Sequence, residues 1–303
     1  MSVTAVKKGK PHKTAIIRKD QYISYMVMTL AGFLLYCVFL ITPILMGIYY
    51  SLTDYTGIGT EFNFVGMDNY VKVFTNDRRF GQALVFNARY TVMLVIGVVV
   101  IGFILAMLLN REIKGRSFFR TLYFLPAVLS MVTVGLVFKQ VYFYVLPVIG
   151  QTLGIPALAT NVISKKETAI YGILFVNLWQ GLAMPTLLFL AGLQTIPQDL
   201  HEAAAIDGAN AWQRFQNITV PYMLPTLSVV LVLTVKGGLG VYDYINVMTG
   251  GSYNTTSIAF LIYQNAFERN RFSYSIAQAV IVGLIVAAIS FIQIKITNAK
   301  KVE

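Results

Sequence analysis

Charged residues punctuate this chain at long intervals, and between them lie runs with no charged side chain. Six of the runs that reach the roughly 18 residues a helix needs to cross bilayer hydrocarbon are good candidates for spans. They are 21–53, 90–110, 121–138, 168–198, 215–235 and 272–294. The first and fourth exceed one bilayer thickness, so part of each must tilt or lie outside the hydrocarbon. A seventh uncharged run, 140–164, is cut by Pro147, Gly150, Gly154 and Pro156 and reads as a partly ordered outer loop. The first run is far longer than the apolar core of a cleaved signal, about 7–15 residues, and is expected to be a retained helix.

Composition agrees with this pattern. Of 303 residues, 56% are hydrophobic and 12% charged, the latter about half the usual globular share. The net charge of +11 could suggest nucleic acid, but the basic residues flank apolar runs rather than gathering on a folded face. The leader carries Lys7, Lys8, Lys10, Lys13, Arg18 and Lys19, and the second connection Arg111, Lys114, Arg116 and Arg120. Arg214 and the tail residues Lys295, Lys300 and Lys301 bring this side to 14 of the 24 Lys and Arg. The other side holds fewer bases in longer loops, so the positive-inside rule puts both termini in the cytoplasm. Cys37 is the only cysteine, and His12 and His201 lie far apart, so neither a disulfide framework nor a metal centre is expected. The expected fold is an all-α polytopic membrane protein: a basic cytoplasmic tail over 1–20, then a six-helix transmembrane domain over 21–303.

The loop over 196–221 does not fit a topological role, because Arg214 is opposed by Asp199, Glu202 and Asp207. Pro197 suits the first turn of a helix, with Asp199 and Glu202 near its positive end. Gly208 is placed to end that helix. Leu200, Ala203 and Ala204 share a face at i, i+3 and i+4, where alanines let another backbone approach. A second short helix over 209–217 leads to Ile218 and Pro221 at the mouth of the next span. Such a hairpin suits either insertion into a partner's cleft or a plain solvated turn.

These residues carry a resemblance. Glu202-Ala203-Ala204, three residues, Gly208, nine residues, Ile218, then Val220-Pro221 resembles the signature of permease subunits of binding-protein-dependent ABC importers, with Val220 in place of the usual leucine. Asp207-Gly208-Ala209 is similar to the carbohydrate-uptake branch. The resemblance extends to 64–70, to 115–120 with Phe124-Leu125-Pro126, to Asn177-Leu178-Trp179, and to Thr249-Gly250-Gly251 with Thr255-Thr256. The last resembles the maltose-type first permease, although Ser252 and Tyr253 stand where a glycine and a proline are usual. The resemblance implies a type I ABC importer permease fold and a heterodimer with a second, related permease. It also implies two separate ATPase subunits that bind ATP and Mg, an extracytoplasmic substrate-binding protein, and a prokaryotic cell membrane. Residues 196–221 would be the coupling helix, with Glu202 meeting a base on the ATPase, Ala203 and Ala204 in close contact, and Gly208 at the turn.

The chain lacks the phosphate-binding Gly-x-x-x-x-Gly-Lys-Ser/Thr, so no nucleotide is expected on it. With no paired acids or histidines inside a span, coupling to an ion gradient is not expected either. Two places suit a carbohydrate near the midplane. In the fourth span, Trp179 and Gln180 either bind a neutral sugar by stacking and amide hydrogen bonds or pack between helices. Gln180, Gly181 and Met184 match positions that line the sugar site in the maltose-type subunit. In the fifth span, Gly237, Gly238 and Gly240 loosen the helix beside Lys236. Lys236 either pairs with an acid such as Asp243, faces the cavity and favours an acidic sugar, or snorkels outward. The function implied is ATP-driven import of an oligosaccharide by alternating access, with glycerol-phosphate, a polyol or an acidic sugar as the alternative.

Overall fold

The computed structural model describes residues 19–111 and 115–298. The leader through Arg18, the turn holding Lys114, and the tail with Lys300 and Lys301 lie outside the described residues. The chain divides into two units, Met1–Tyr50 and Ser51–Glu303. The first is one apolar helix: α1 (Lys19–Tyr36), a π turn at Cys37–Ile41, and the start of α2 (Thr42–Ser51). The π turn sits just ahead of Pro43. There it absorbs the missing N–H and the bulk of the ring, and the Thr42 hydroxyl donates to the Cys37 carbonyl at 3.0 Å.

In the second unit, an antiparallel bridge between Thr53 and Phe64 closes a turn. In it, Asp54 accepts from the Asn63 backbone N–H at 2.6 Å and from its side-chain amide. Those bonds hold the Asp54 carboxyl below its ordinary pKa. Then follow α3 (Asp68–Thr75), α4 (Arg78–Asn110), α5 (Arg116–Val128), α6 (Met131–Gln140) and α7 (Leu146–Thr152). Next come α8 (Ala169–Gly181), α9 (Ala183–Gln194), α10 (Gln198–Ile206), α11 (Ala211–Arg214), α12 (Val220–Leu239), α13 (Ile258–Tyr263) and α14 (Phe272–Asn298). Among the described residues there is no sheet.

Helices α4, α9 and α12 make the core. Lipid supplies no hydrophobic drive between helices, so close approach over small residues has to hold them together. Gly192 of α9 is one such point, since a Cβ there would lie 2.5 Å from Thr226 Oγ1 on α12. Gly238 of α12 is another, 3.0 Å from the Thr91 backbone on α4. The Asn87 side chain on α4, fully buried, donates to the carbonyls of Gly238 (3.2 Å) and Leu239 (2.8 Å) and accepts from Ile258 N–H (2.8 Å). It thus serves the open end of α12 and the beginning of α13 together.

Among the described residues, five helices are long and apolar enough to cross a membrane, and α8 with α9, bent by 50°, makes a sixth if the pair is one span. Two expectations need correction. The third span runs over Met131–Thr152, not 121–138, so the first half of the expected loop over 140–164 is helical. Pro147 follows a π turn at Val141–Val145, which absorbs its missing N–H as the π turn ahead of Pro43 does. Gly150 marks a close approach, because a Cβ would lie 2.3 Å from Ala159 N. Lys139, which ended the uncharged run, donates to the Val247 carbonyl at 3.1 Å. The true break is at Leu129 and Ser130, both extended. The second correction concerns 209–217, which is not a separate helix. Ala211–Leu239 runs on as one 29-residue helix through a π turn at Phe215–Thr219.

Replacing Asn87 with Leu strands three backbone groups, at about 1–3 kcal/mol for each that stays buried. The thermal midpoint of the detergent-solubilised chain should fall by about 5 °C or more. An unchanged midpoint would show that the strut has no structural weight.

Candidate functional site

The hairpin at 196–221 has the expected cap. Gly208 has φ +82°, its N–H donates to Ala205 O at 3.1 Å, and Ala209 N–H donates to Ala204 O at 2.9 Å. This paired arrangement is the Schellman motif, and it explains why a glycine stands there. Asn210 and Gln213 then form a reciprocal capping box for α11. No residue of α10 is buried. Ile206 is 87% exposed and Trp212 67%. Glu202, also exposed, is held by Gln198 Nε2 at 3.0 Å. Ala203, Ala204 and Asp207 lie on the same short helix or at its end, Ile218 and Pro221 on the helix that follows. Trp212 stacks on Phe215 at 5.4 Å, and Phe215 in turn meets Phe103 of α4 at 6.0 Å. The aromatic pair thus ties the hairpin to the bundle.

The midplane candidates separate. Gln180 is 4% exposed, its Nε2 donates to Leu129 O at 2.7 Å, and its Oε1 accepts from Tyr244 Oη at 2.6 Å. It stands behind the open surface and satisfies the carbonyl freed by the break after α5. Trp179, Gly181 and Met184 are exposed, with Trp179 set against Phe138 at 5.2 Å. On α12, Val229, Leu233, Lys236 and Gly240 form an open stripe, while Val230, Thr234 and Gly238 face the core. Gly237 is open as well. Pairing of Lys236 with Asp243 does not occur, since the only ion pair among the described residues is Asp68–Lys72.

A cavity of about 1320 Å³ opens at the end of the bundle opposite α10. Arg78, Arg79 and Arg89 of α4 line it with Lys166, Arg269 and one acid, Glu167. Sequence reading missed this cluster because its members lie on separate segments. The clue available was the pair Arg78-Arg79 directly after Asp77, where a helix start normally disfavours cations. Beside it, Asp77 accepts from Tyr274 Oη (2.7 Å) and Gln278 Nε2 (2.9 Å), and Gln278 accepts from Asn265 (2.8 Å). Among the described residues no group of three His, Cys, Asp or Glu could hold a metal.

The sequence model of the binding-protein-dependent transport system inner membrane component family matches residues 98–300. A multiple sugar-binding transport system permease protein of Streptococcus mutans, MsmF, is 44% identical over 88% of this chain and 92% of its own length. The trehalose/maltose transport system permease protein MalF of Thermococcus litoralis is 30% identical over 87% and 90%. Among solved structures, a bacterial ABC transporter involved in the import of the acidic polysaccharide alginate superposes with TM-score 0.79 at 21% identity. That match covers 93% of this chain and 96% of the other, so the type I ABC importer permease fold is shared. By both sequence and fold, the chain belongs to the family of inner-membrane components of binding-protein-dependent transport systems.

Proposed function

We propose that this chain is one half of a heterodimeric permease in a prokaryotic cell membrane, importing an oligosaccharide by alternating access. Both termini are cytoplasmic in this reading. A related second permease completes the translocation path, and two ATPase subunits holding ATP and Mg drive it from the cytoplasmic side. The carbohydrate cargo is supported by the sugar-transport names of relatives 44% and 30% identical to this chain.

The observation that carries the coupling is the bare tip of the hairpin. Two large apolar residues, Ile206 and Trp212, stand exposed on one short hairpin whose first helix buries nothing, which suits a covering partner. Glu202 on that helix offers a carboxylate to a base on that partner. Because Ala211–Leu239 is one helix, about 43 Å long at 1.5 Å per residue, a push on the hairpin reaches Lys236, Gly237 and Gly240. Asn87 grips that far end through the Gly238 and Leu239 carbonyls, so α4 moves with α12. The open faces bearing Trp179, Gly181 and Met184, and Lys236 with Gly240, need the second permease to enclose substrate. Gln180 acts there by holding the break before the third span rather than by touching sugar. Exposed, unpaired Lys236 favours a second reading, an acidic sugar or a glycerol-phosphate as cargo.

In a mild-detergent pull-down, the wild-type chain should bring down an ATPase and a second permease, while Glu202→Lys should keep the permease and lose the ATPase. A wild-type chain that arrives without any ATPase would overturn the import mechanism. For the substrate surface, Trp179→Ala should raise the KM for oligosaccharide uptake about tenfold, the scale of one lost stacking contact. Lys236→Met separates the cargoes: uptake unchanged points to an uncharged sugar, whereas a loss confined to anionic sugars points to the second reading.

A further inference from the structure

We propose that the bend between α8 and α9 is a hinge, on which α9 swings against a belt of buried hydrogen bonds when the hairpin moves. The inference rests on the importer reading above, in which the hairpin receives the push. The bend has a local cause. Pro185 has no N–H to give the Gly181 carbonyl four residues back, and its ring crowds that turn, which is how most sharp bends arise in helices. The 50° bend falls between the two, at Leu182. The hairpin's other arm, α12, is interrupted as well, ending at Leu239 with Gly240 as its cap.

Three observations place the pivot. Just beyond both interruptions, Tyr244 Oη donates to Gln180 Oε1 at 2.6 Å, so the continuations of the two arms are bonded to each other. Within one helical turn, Asn177 Nδ2 donates to Tyr90 Oη at 2.7 Å, and Asn87 holds the Gly238 and Leu239 carbonyls. Gln180 Nε2 adds the Leu129 carbonyl at 2.7 Å. These bonds fasten α4, α8, the end of α12 and the start of the third span into one belt. Second, such bonding stops at the bend. Among the described residues no side-chain hydrogen bond joins α9 to another helix; that of Thr195 to Gly192 O is local, and the Thr186 hydroxyl is buried without a partner. Apolar and small side chains make the contacts of α9 instead, Phe189 on Phe103 at 5.5 Å and Gly192 over α12. Short directional bonds resist displacement, whereas packed helices slide by small shears. Because α9 leads directly into α10, a push on the hairpin arrives at this freer side. Third, the substrate face spans the bend. Trp179 stands on the belt side, set against Phe138, Met184 on the swinging side, and Gly181 at the join. A change of bend therefore alters the spacing of Trp179 and Met184, closing the face in one state and opening it in the other. Gln180 and Tyr244 are positioning residues for that face.

The test uses the complete transporter in proteoliposomes, otherwise free of cysteines, with spin labels on Tyr171→Cys of α8 and Gln194→Cys of α9, both exposed positions. At 1.5 Å per residue, a change of about 25° in the bend alters their separation by about 2 Å. The separation should change by that much or more between the nucleotide-free and vanadate-trapped states. Pro185→Ala restores the missing N–H, so the separation should freeze and oligosaccharide uptake should fall about tenfold, with the thermal midpoint held or raised. Pro225→Ala, in a helix that runs on as one, should change neither separation nor uptake. Tyr244→Phe loosens the belt and spares the Leu129 contact. It should leave ATP hydrolysis running while uptake per ATP falls about threefold or more, whereas a purely structural role would lower both together. A separation that stays constant while uptake proceeds would overturn the hinge and leave the importer reading intact. So would Pro185→Ala at the wild-type rate, or with a midpoint that falls along with its uptake. A wild type that takes up no oligosaccharide from its binding protein in the presence of ATP would overturn the importer reading itself, and the hinge with it.

Discussion

Backbone hydrogen bonding inside a water-free slab governs how this chain can bend. A helix that breaks in hydrocarbon exposes N–H and C=O groups at a cost of several kcal/mol each unless the protein supplies partners. Breaks occur at Leu129 and after Leu239, and at each a buried side-chain amide takes up the freed carbonyls: Gln180 at the first, Asn87 at the second. The two amides are themselves completed, by the Tyr244 hydroxyl and the Ile258 N–H. Lys139 serves the carbonyl of Val247 in the same way. The breaks before the third span and after the fifth are therefore fixed by polar bonds drawn from neighbouring helices.

That constraint explains what was legible in the sequence and what was not. Charge-free runs report where side chains avoid water, and they located four of six spans within a few residues; in a fifth, α4, the helix extends twelve residues outward to Arg78. They misplaced the third because a lysine ended the run and a proline with a glycine seemed to break what followed. Hydropathy carries no information on whether a lysine finds a carbonyl or whether a glycine answers a close approach, as Gly150 does. The hairpin was readable because its cap depends on chain-local rules: Pro197 before α10, Gly208 in the left-handed region, and the spacing between them. Gln180 looked equally suited to sugar or to a neighbouring helix, and only the position of Leu129, 51 residues away, decides between them. The basic cavity was invisible for the same reason, its arginines being brought together by topology rather than by sequence.

Function follows from the surfaces the fold leaves unfinished. At one end, α10 presents an apolar residue and a carboxylate with nothing over them. At the other, five cations stand around a cavity with one acid between them. In between, α12 turns Lys236 and a row of aliphatic side chains away from its own core. Their chemistry differs from place to place: an apolar tip with a carboxylate, a cluster of cations, and an aliphatic stripe with one lysine.

Rigidity is what turns these separate surfaces into one device. The 29-residue helix from Ala211 to Leu239 has its lower end set by the Trp212–Phe215 stack against α4 and its upper end by Asn87, also on α4. Both anchors lie on the same long helix, so α4 and α12 act as a pair of braced struts between the hairpin and the basic cavity. A displacement of the hairpin is thereby carried to the far end of α12, whose carbonyls a single buried asparagine holds, and a change at that end biases the hairpin in return, since coupling between sites is reciprocal.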